Sequence, residues 1–420
     1  MKAEQQVERF SFTQLIGPGL LVAAAGIGAG DIVSSTVGGA NYGLALLWAV
    51  VLAAFLKCFL NEGIARWQLA TDTTAIEGWA AHLPWWVNAY FGVYLILWTP
   101  AVTGALSNAC GLGIANLTGG AIPASWGAVI HTAIGFSFVM LGGFEGFEKI
   151  MKVLIGVMFF SMIACALITL HDPLSVLKGF IPVIPSGAGT SVLSVLGGIG
   201  GSITMLSYNY WLREEKMVGP KWLKHVRKDI AVAYGFTALF GMSVMSIADQ
   251  TFHVPAIKIT DAQAVTKMAE TLGSVIGTVG FYSYSIGFYA AVFASLLGVW
   301  QSVPYIYADF YSVVRRYTPA ERLAATEVTS TPYRLALVFV AVAPIPLAFV
   351  NQALFIIRTY TIVGSLFIPF LAATLLYMNN FRIPANGGVR KNGPFTNAVL
   401  ILALILFALV GAREAGLLPR

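Results

Sequence analysis

The stretch Ala24-Ala-Gly-Ile-Gly-Ala-Gly-Asp31 interrupts the first long apolar segment of the chain with three glycines and one carboxylate. A second interruption, Gly197-Gly-Ile-Gly-Gly201, lies in another apolar segment about 170 residues later. Glycine weakens a helix because it loses the most backbone entropy on ordering and leaves peptide groups open. In lipid, open peptide groups survive only where they line a polar cavity inside the protein. Matched interruptions in the two halves of a polytopic membrane chain mark the solute site of a secondary transporter. The polar residues beside them, Asp31, Ser34, Ser35, Ser202, Thr204, Ser207 and Asn209, favour a cavity over simple helix packing. Gly38-Gly39, Gly111 with Gly113, and Gly142-Gly143 are read instead as small residues that let helices approach closely.

Composition places the chain in a bilayer. Of 420 residues, 57% are hydrophobic and 10% charged, with a mean hydropathy of +0.77. A soluble chain carries roughly a quarter charged residues, so an integral membrane protein is expected. The net charge of +6 needs no nucleic acid, because Lys and Arg concentrate in a few loops. Cys58, Cys110 and Cys165 lie in apolar segments without paired spacing, which disfavours a disulfide framework or metal cluster. Met1 to Gln14 is polar and the apolar stretch after it is too long for a cleavable signal. No nucleotide-binding or triad pattern is visible, so neither an enzyme nor an ATP-driven pump is expected, and no cofactor is implied.

Apolar windows able to cross about 30 Å of hydrocarbon fall near 16–37, 44–67, 86–113, 122–143, 150–170, 191–212, 229–248, 275–303, 333–350, 359–378 and 395–412, numbered here as spans 1 to 11. With eleven spans, 18 of the 25 Lys and Arg residues fall on one side and six on the other, with Lys57 inside span 2. That bias predicts a cytoplasmic N-terminus, and an odd count then puts Gly416 to Arg420 outside. Spans 1 and 6 carry the breaks. Two inverted five-helix units follow, about 16–170 and 191–378, with an extra helix at about 395–412. The fold class expected is therefore all-α, LeuT-like, of the amino acid–polyamine–organocation superfamily, in one transmembrane domain.

Gly17-Pro-Gly-Leu-Leu21, Gly38-Gly-Ala-Asn-Tyr-Gly43 followed by Leu46-Leu-Trp48, Gly200-Gly-Ser-Ile-Thr-Met205 and Ser365-Leu-Phe-Ile-Pro-Phe370, in this order and spacing, resemble the Nramp divalent-metal transporters over nearly the whole chain. The resemblance implies a prokaryotic inner-membrane protein whose partners are the lipid bilayer and a transported solute. It also implies a site at the two breaks, where this chain departs from the family. Nramp proteins read Asp-Pro-Gly-Asn at the span 1 break, and here Gly28-Ala29-Gly30-Asp31 stands there. The Met-Pro-His of span 6 is Met205-Leu206-Ser207, and a span 10 glutamine aligns with Phe367. Two span 3 acids associated with proton movement align with Gly104 and Ser107.

Gly28, Asp31, Ser202, Met205, Ser207, Tyr208 and Phe367 are the expected solute-contacting residues, with Asp31 and Met205 the candidate metal ligands. One carboxylate, one thioether and a hydroxyl hold a divalent ion only with waters retained, which Mg²⁺ tolerates readily. Softer Mn²⁺ or Fe²⁺ gains more from the sulfur. Without the span 3 acids, the parent type of proton coupling lacks its relay. The same residues fit a second reading, a carrier of a small organic solute such as an amino acid or carboxylate, held by bare N–H groups at the break. Asp31 also suits a purely structural role as cap of the second half of span 1.

Elsewhere, Lys57, Glu62 and Arg66 are expected to form one network in span 2, with Lys57 pairing Glu62. Arg213-Glu-Glu-Lys216 reads as a charged cap of span 6. Trp85-Trp86, Tyr208-Asn-Tyr-Trp211 and Phe281-Tyr-Ser-Tyr284 suit interfacial belts, with Tyr208 able to wall the site. The histidines, His131 among them, lack ligand spacing and read as solvated. The stretch Asp249 to Glu270 is expected to be an external loop.

Overall fold

The computed structural model describes residues 17–170, 172–255, 264–350, 353–385 and 388–414. The expectations for the two chain ends lie outside these residues, as does part of the predicted external loop. Among the described residues the chain is all-helical, without a strand. Span 1 is two helices, α1 (Pro18–Gly26) and α2 (Ala29–Tyr42), and span 2 is α3 (Leu47–Thr71). After the short α4 (Ala75–His82) come α5 (Trp85–Leu117) and α6 (Ala124–Thr169), then the short α7 (Pro173–Lys178). Span 6 is again divided, into α8 (Gly189–Gly198), a 3₁₀ turn (Ile203–Leu206) and α9 (Ser207–Glu214). The chain continues through α10 (Leu223–Ala248), α11 (Ala264–Ile276), α12 (Thr278–Val314), α13 (Pro319–Ala325), α14 (Thr331–Val342), α15 (Ala353–Phe381) and α16 (Pro394–Glu414).

Among the described residues, seven helical stretches are long and apolar enough to cross a membrane. Two of them, Ala29–Thr71 with 43 residues and Ala124–Thr169 with 46, are each twice the length one crossing needs. The first turns at Gly43, whose φ of +60° sits beside the Asp249 and His253 side chains. The second turns at Gly143, with φ +61° and ψ 175°. The first stretch thus supplies the second half of span 1 together with span 2, and the second supplies spans 4 and 5. The shorter apolar stretches Leu366–Phe381 and Pro394–Leu409 supply spans 10 and 11.

Helix α12 forms the centre: 83% of its most apolar window is buried, against 39% for α6 and α14 at the periphery. The small residues of α12 explain its position. An added Cβ at Gly298 would lie 2.4 Å from Ala25 Cβ, and one at Gly287 2.8 Å from Ser161 Cβ, so α1 and α6 approach its backbone closely. Gly39 and Gly111 are packing glycines as expected, meeting Met245 O and Ala124 O respectively. Gly143 is not. It has nothing within 4 Å of where a Cβ would stand, and its role is the turn between spans 4 and 5.

Other readings are corrected by burial. Tyr210, Trp211 and Tyr284 are core residues and not an interfacial belt, whereas Trp85 and Trp86 are exposed. His131 is buried, its Nδ1 against Gly127 O and its Nε2 against the Tyr289 hydroxyl, both at 2.7 Å. The stretch expected as a loop after Asp249 begins with a π-helical turn, and α11 opens at Ala264.

Candidate functional site

The two breaks face each other. An added Cβ at Gly26, the last residue of α1, would stand 3.1 Å from the Gly200 carbonyl carbon. At the first break the backbone is extended at Ile27 and Gly28 before α2 begins. Asp31, in the first turn of α2, reaches back so that its Oδ2 accepts the Gly28 N–H at 3.0 Å. A carboxylate there satisfies one of the donors that every helix start leaves open and complements the positive end of the helix dipole. Its other oxygen, Oδ1, accepts the Gly200 N–H at 2.8 Å, across in the second break. Asp31 is therefore both a cap and a staple, and it is 1% exposed.

At the second break, Gly200 and Gly201 hold φ of +81° and +76°, a conformation that favours glycine. The carbonyls at the end of α8 have no donors within their own helix. Lys57 supplies them: its Nζ donates to Gly197 O at 3.0 Å and to Ile199 O. Lys57 is thus not the partner of Glu62. Glu62 instead receives Arg66 at 2.7 Å, one helical turn along, and Arg227 at 2.8 Å. Side chains outside the expected site also reach the breaks, one to a freed carbonyl and one to a hydroxyl. Ser295 Oγ of α12 donates to Ala25 O at 2.8 Å, and Trp98 Nε1 of α5 donates to Ser202 Oγ at 3.1 Å. The only signal available for Ser295 was a hydroxyl in an otherwise apolar run.

The remaining expected residues divide. Met205 is fully buried on the 3₁₀ turn, and the hydroxyls of its neighbours Thr204 and Ser207 are buried without a hydrogen-bond partner. Phe367 stacks on Tyr94 with ring centroids 5.8 Å apart, and an added Cβ at Gly364 of the same helix would lie 3.3 Å from Ser202 Oγ. The Tyr208 hydroxyl is engaged away from the breaks, donating to Asp229 Oδ2 at 2.8 Å. That same oxygen accepts the Gly19 N–H at 2.7 Å and so caps α1. In span 3, Ser107 Oγ pairs with Thr132 Oγ1 at 2.9 Å, a contact between neutral hydroxyls.

Helix α9 is held separately. Tyr210 and Thr74 both donate to Asp309 Oδ2, Gln68 Nε2 donates to Asn209 O, and Trp211 Nε1 donates to Gln301 Oε1. At the end of this net Arg213 meets Glu77 at 3.5 Å on α4, where burial raises the Glu77 carboxyl above its ordinary range and Asp309 adds to that. No cluster of three or more His, Cys, Asp or Glu suited to a metal ion occurs among the described residues.

Residues 19–413 match the family described as natural resistance-associated macrophage protein-like. The chain belongs to the Nramp family. Curated relatives include the divalent metal cation transporters MntH of Staphylococcus haemolyticus, 27% identical over 247 residues, and of Staphylococcus aureus, 27% identical over 239. Each alignment covers 56% of this chain and spans about half the relative's length, 53% and 52%. Among solved structures, two variants of the Eremococcus coleocola manganese transporter superpose with TM-scores of 0.77 and 0.78 at 16% identity. They cover 97% and 98% of this chain, and 89% and 88% of the transporter. MhsT in complex with L-phenylalanine superposes with a TM-score of 0.55 at 14% identity, over 96% of this chain and 98% of its own. The Nramp chain thus has the LeuT-like fold, with spans 1 and 6 broken where the sequence places the glycines.

Proposed function

We propose that this protein is a secondary transporter that carries a divalent metal cation of the Mn, Fe or Mg class by alternating access, through a non-standard site where the breaks of spans 1 and 6 meet. The observation that carries the reading is Asp31, a carboxylate bonded to backbone N–H groups of both breaks. A rearrangement of one half-helix against the other changes what that carboxylate touches, which is what alternating access requires of a site residue. Membership of the Nramp family and the metal transporters among its relatives support the choice of cargo. Met205 and the unpartnered hydroxyls of Thr204 and Ser207 are the other donors on offer, with water completing the shell. Proton coupling through span 3 is not part of the proposal, because Gly104 and the Ser107–Thr132 hydroxyl pair carry no charge.

A second reading is favoured by one observation. The Lys57 ammonium sits on the same break segment as the Asp31 carboxylate, which makes the junction polar but formally neutral. A neutral junction suits an amino acid or carboxylate better than a bare dication. Uptake into proteoliposomes of Mn²⁺, Mg²⁺ and a mixture of labelled amino and carboxylic acids separates the two. Saturable Mn²⁺ or Mg²⁺ uptake, lost in Asp31→Ala and without acidification of the vesicle interior, is expected. Uptake of an organic solute with no metal uptake would transfer the assignment to the second reading.

A further inference from the structure

Lys57 is fully buried in the middle of span 2, and its ammonium lies among oxygens that belong to another helix. Gly197 O and Ile199 O are terminal carbonyls of α8, the negative end of its dipole, with no donors of their own. The next residue along, Gly200, gives its N–H to the Asp31 carboxylate. On a further side the Phe407 ring of α16 presents itself 6.0 Å from the nitrogen, within the range at which a π-face attracts a cation. The lysine stem lies along the glycine-lined break, its Cδ 3.4 Å from where a Cβ of Gly200 would stand. Unwound backbone carbonyls at a half-helix C-terminal end are the groups with which broken helices hold small cations.

We propose that the Lys57 ammonium is a tethered cation filling a monovalent-cation site at the span 6 break, so that the chain itself supplies the charge a dissolved coupling ion would bring. The cation site rests on the geometry of the break alone; its meaning for coupling rests on the transporter reading. Two consequences follow. The wild-type protein has no requirement for dissolved Na⁺ or K⁺ at this position. A variant lacking the ammonium exposes the same oxygens to a small cation from solution and becomes stabilised by it. A lysine that served only as a helix cap leaves no such ion-specific response once replaced.

The experiment is thermal unfolding of the purified full-length protein in detergent, at fixed ionic strength, in chloride salts of Na⁺, K⁺, methylammonium or bulky N-methylglucamine. Wild type is expected to unfold at one temperature in all four. Lys57→Met is expected to unfold several degrees lower in N-methylglucamine and to recover, dose-dependently and saturably, with Na⁺ or methylammonium. Adding Asp31→Asn should blunt that recovery. Lys57→Gln keeps a donor for one carbonyl, so it provides a folded protein if the methionine variant fails, with a smaller recovery of the same kind. Identical unfolding temperatures of the folded variants in every salt would overturn the proposal, as would a wild type that responds to Na⁺ as strongly as the variants. Loss of the metal reading has a different signature, since a wild type without Mn²⁺ or Mg²⁺ uptake leaves these salt responses unchanged.

Discussion

The breaks of spans 1 and 6 solve one problem by different means. At the first, the Gly28 N–H is met by a carboxylate three residues away, so the sequence carries its own cap. At the second, the side chains that meet the freed backbone groups come from afar: Lys57 on span 2 and Asp31 on span 1, each 140 residues or more distant in the chain. The open N–H of the first break is capped by local chemistry, with Ser295 of α12 meeting only its Ala25 carbonyl, whereas the second break is assembled by packing. A break closed from within its own helix keeps its cap when neighbouring helices move. A break closed by other helices loses its partners as soon as they shift. Span 6 is accordingly the half of the junction whose hydrogen bonds must be exchanged in any rocking motion.

The change that strains this comparison most is Asp31→Ala, because Asp31 serves both breaks. It leaves two buried N–H groups without an acceptor. Each costs about 1–3 kcal/mol, and the unfolding temperature is expected to fall well below that of any other single variant. Asp31→Asn retains an acceptor oxygen, so it should lose markedly less. If the two variants are equally stable, the carboxylate is not the staple described.

Gly28→Ala comes next. A Cβ there would stand 2.8 Å from Ser295 Oγ and 3.1 Å from Leu106 Cδ2. Overpacking of this kind costs about 1–3 kcal/mol. Ser295→Ala alone frees Ala25 O and should cost about 1 kcal/mol. Combined, the two should cost less than their sum, because removing Oγ leaves a Cβ at 3.4 Å. Strict additivity in a double-mutant cycle would show that α12 does not seal the first break.

Trp98→Phe is expected to be milder, about 1 kcal/mol for the lost bond to Ser202. A larger loss of solute uptake than of stability in this variant would show that the second break is the more function-sensitive of the two. Least of all, Lys149→Ala at the turn between spans 4 and 5 should leave the unfolding temperature unchanged. Lys149 holds the fully exposed Glu145 carboxyl below its ordinary range at 2.7 Å, so any contribution is present at neutral pH and is lost as acid titrates the carboxylate. Solvent screens the pair on both sides. A visible drop would mean that stability here is not governed by the breaks.

Much of this was legible residue by residue. Asp31 beside Gly28 reads as a cap because an acceptor three residues into a helix can only reach back. Glu62 and Arg66 read as a pair because four residues bring side chains over one another on a helix, and they meet at 2.7 Å. Lys57 was misread for the complementary reason. Five residues from Glu62 it points to another face, and the oxygens it meets belong to residues 140 positions away or more. Tyr208 shows the same limit: its place after the break is visible in the sequence, but the partner of its hydroxyl, Asp229, is on span 7.

The sequence by itself determined that the chain is a membrane protein, where its helices run and where two of them break. Hydropathy, glycine content and cap chemistry act over a few neighbouring residues, so these features need no knowledge of the fold. Only the tertiary structure decided which groups close the second break and that an ammonium, facing oxygens of another helix, stands beside the carboxylate. Buried peptide groups must be satisfied by whatever donor or acceptor the packing brings within 3 Å or so, and that choice is made by helices far apart in the chain.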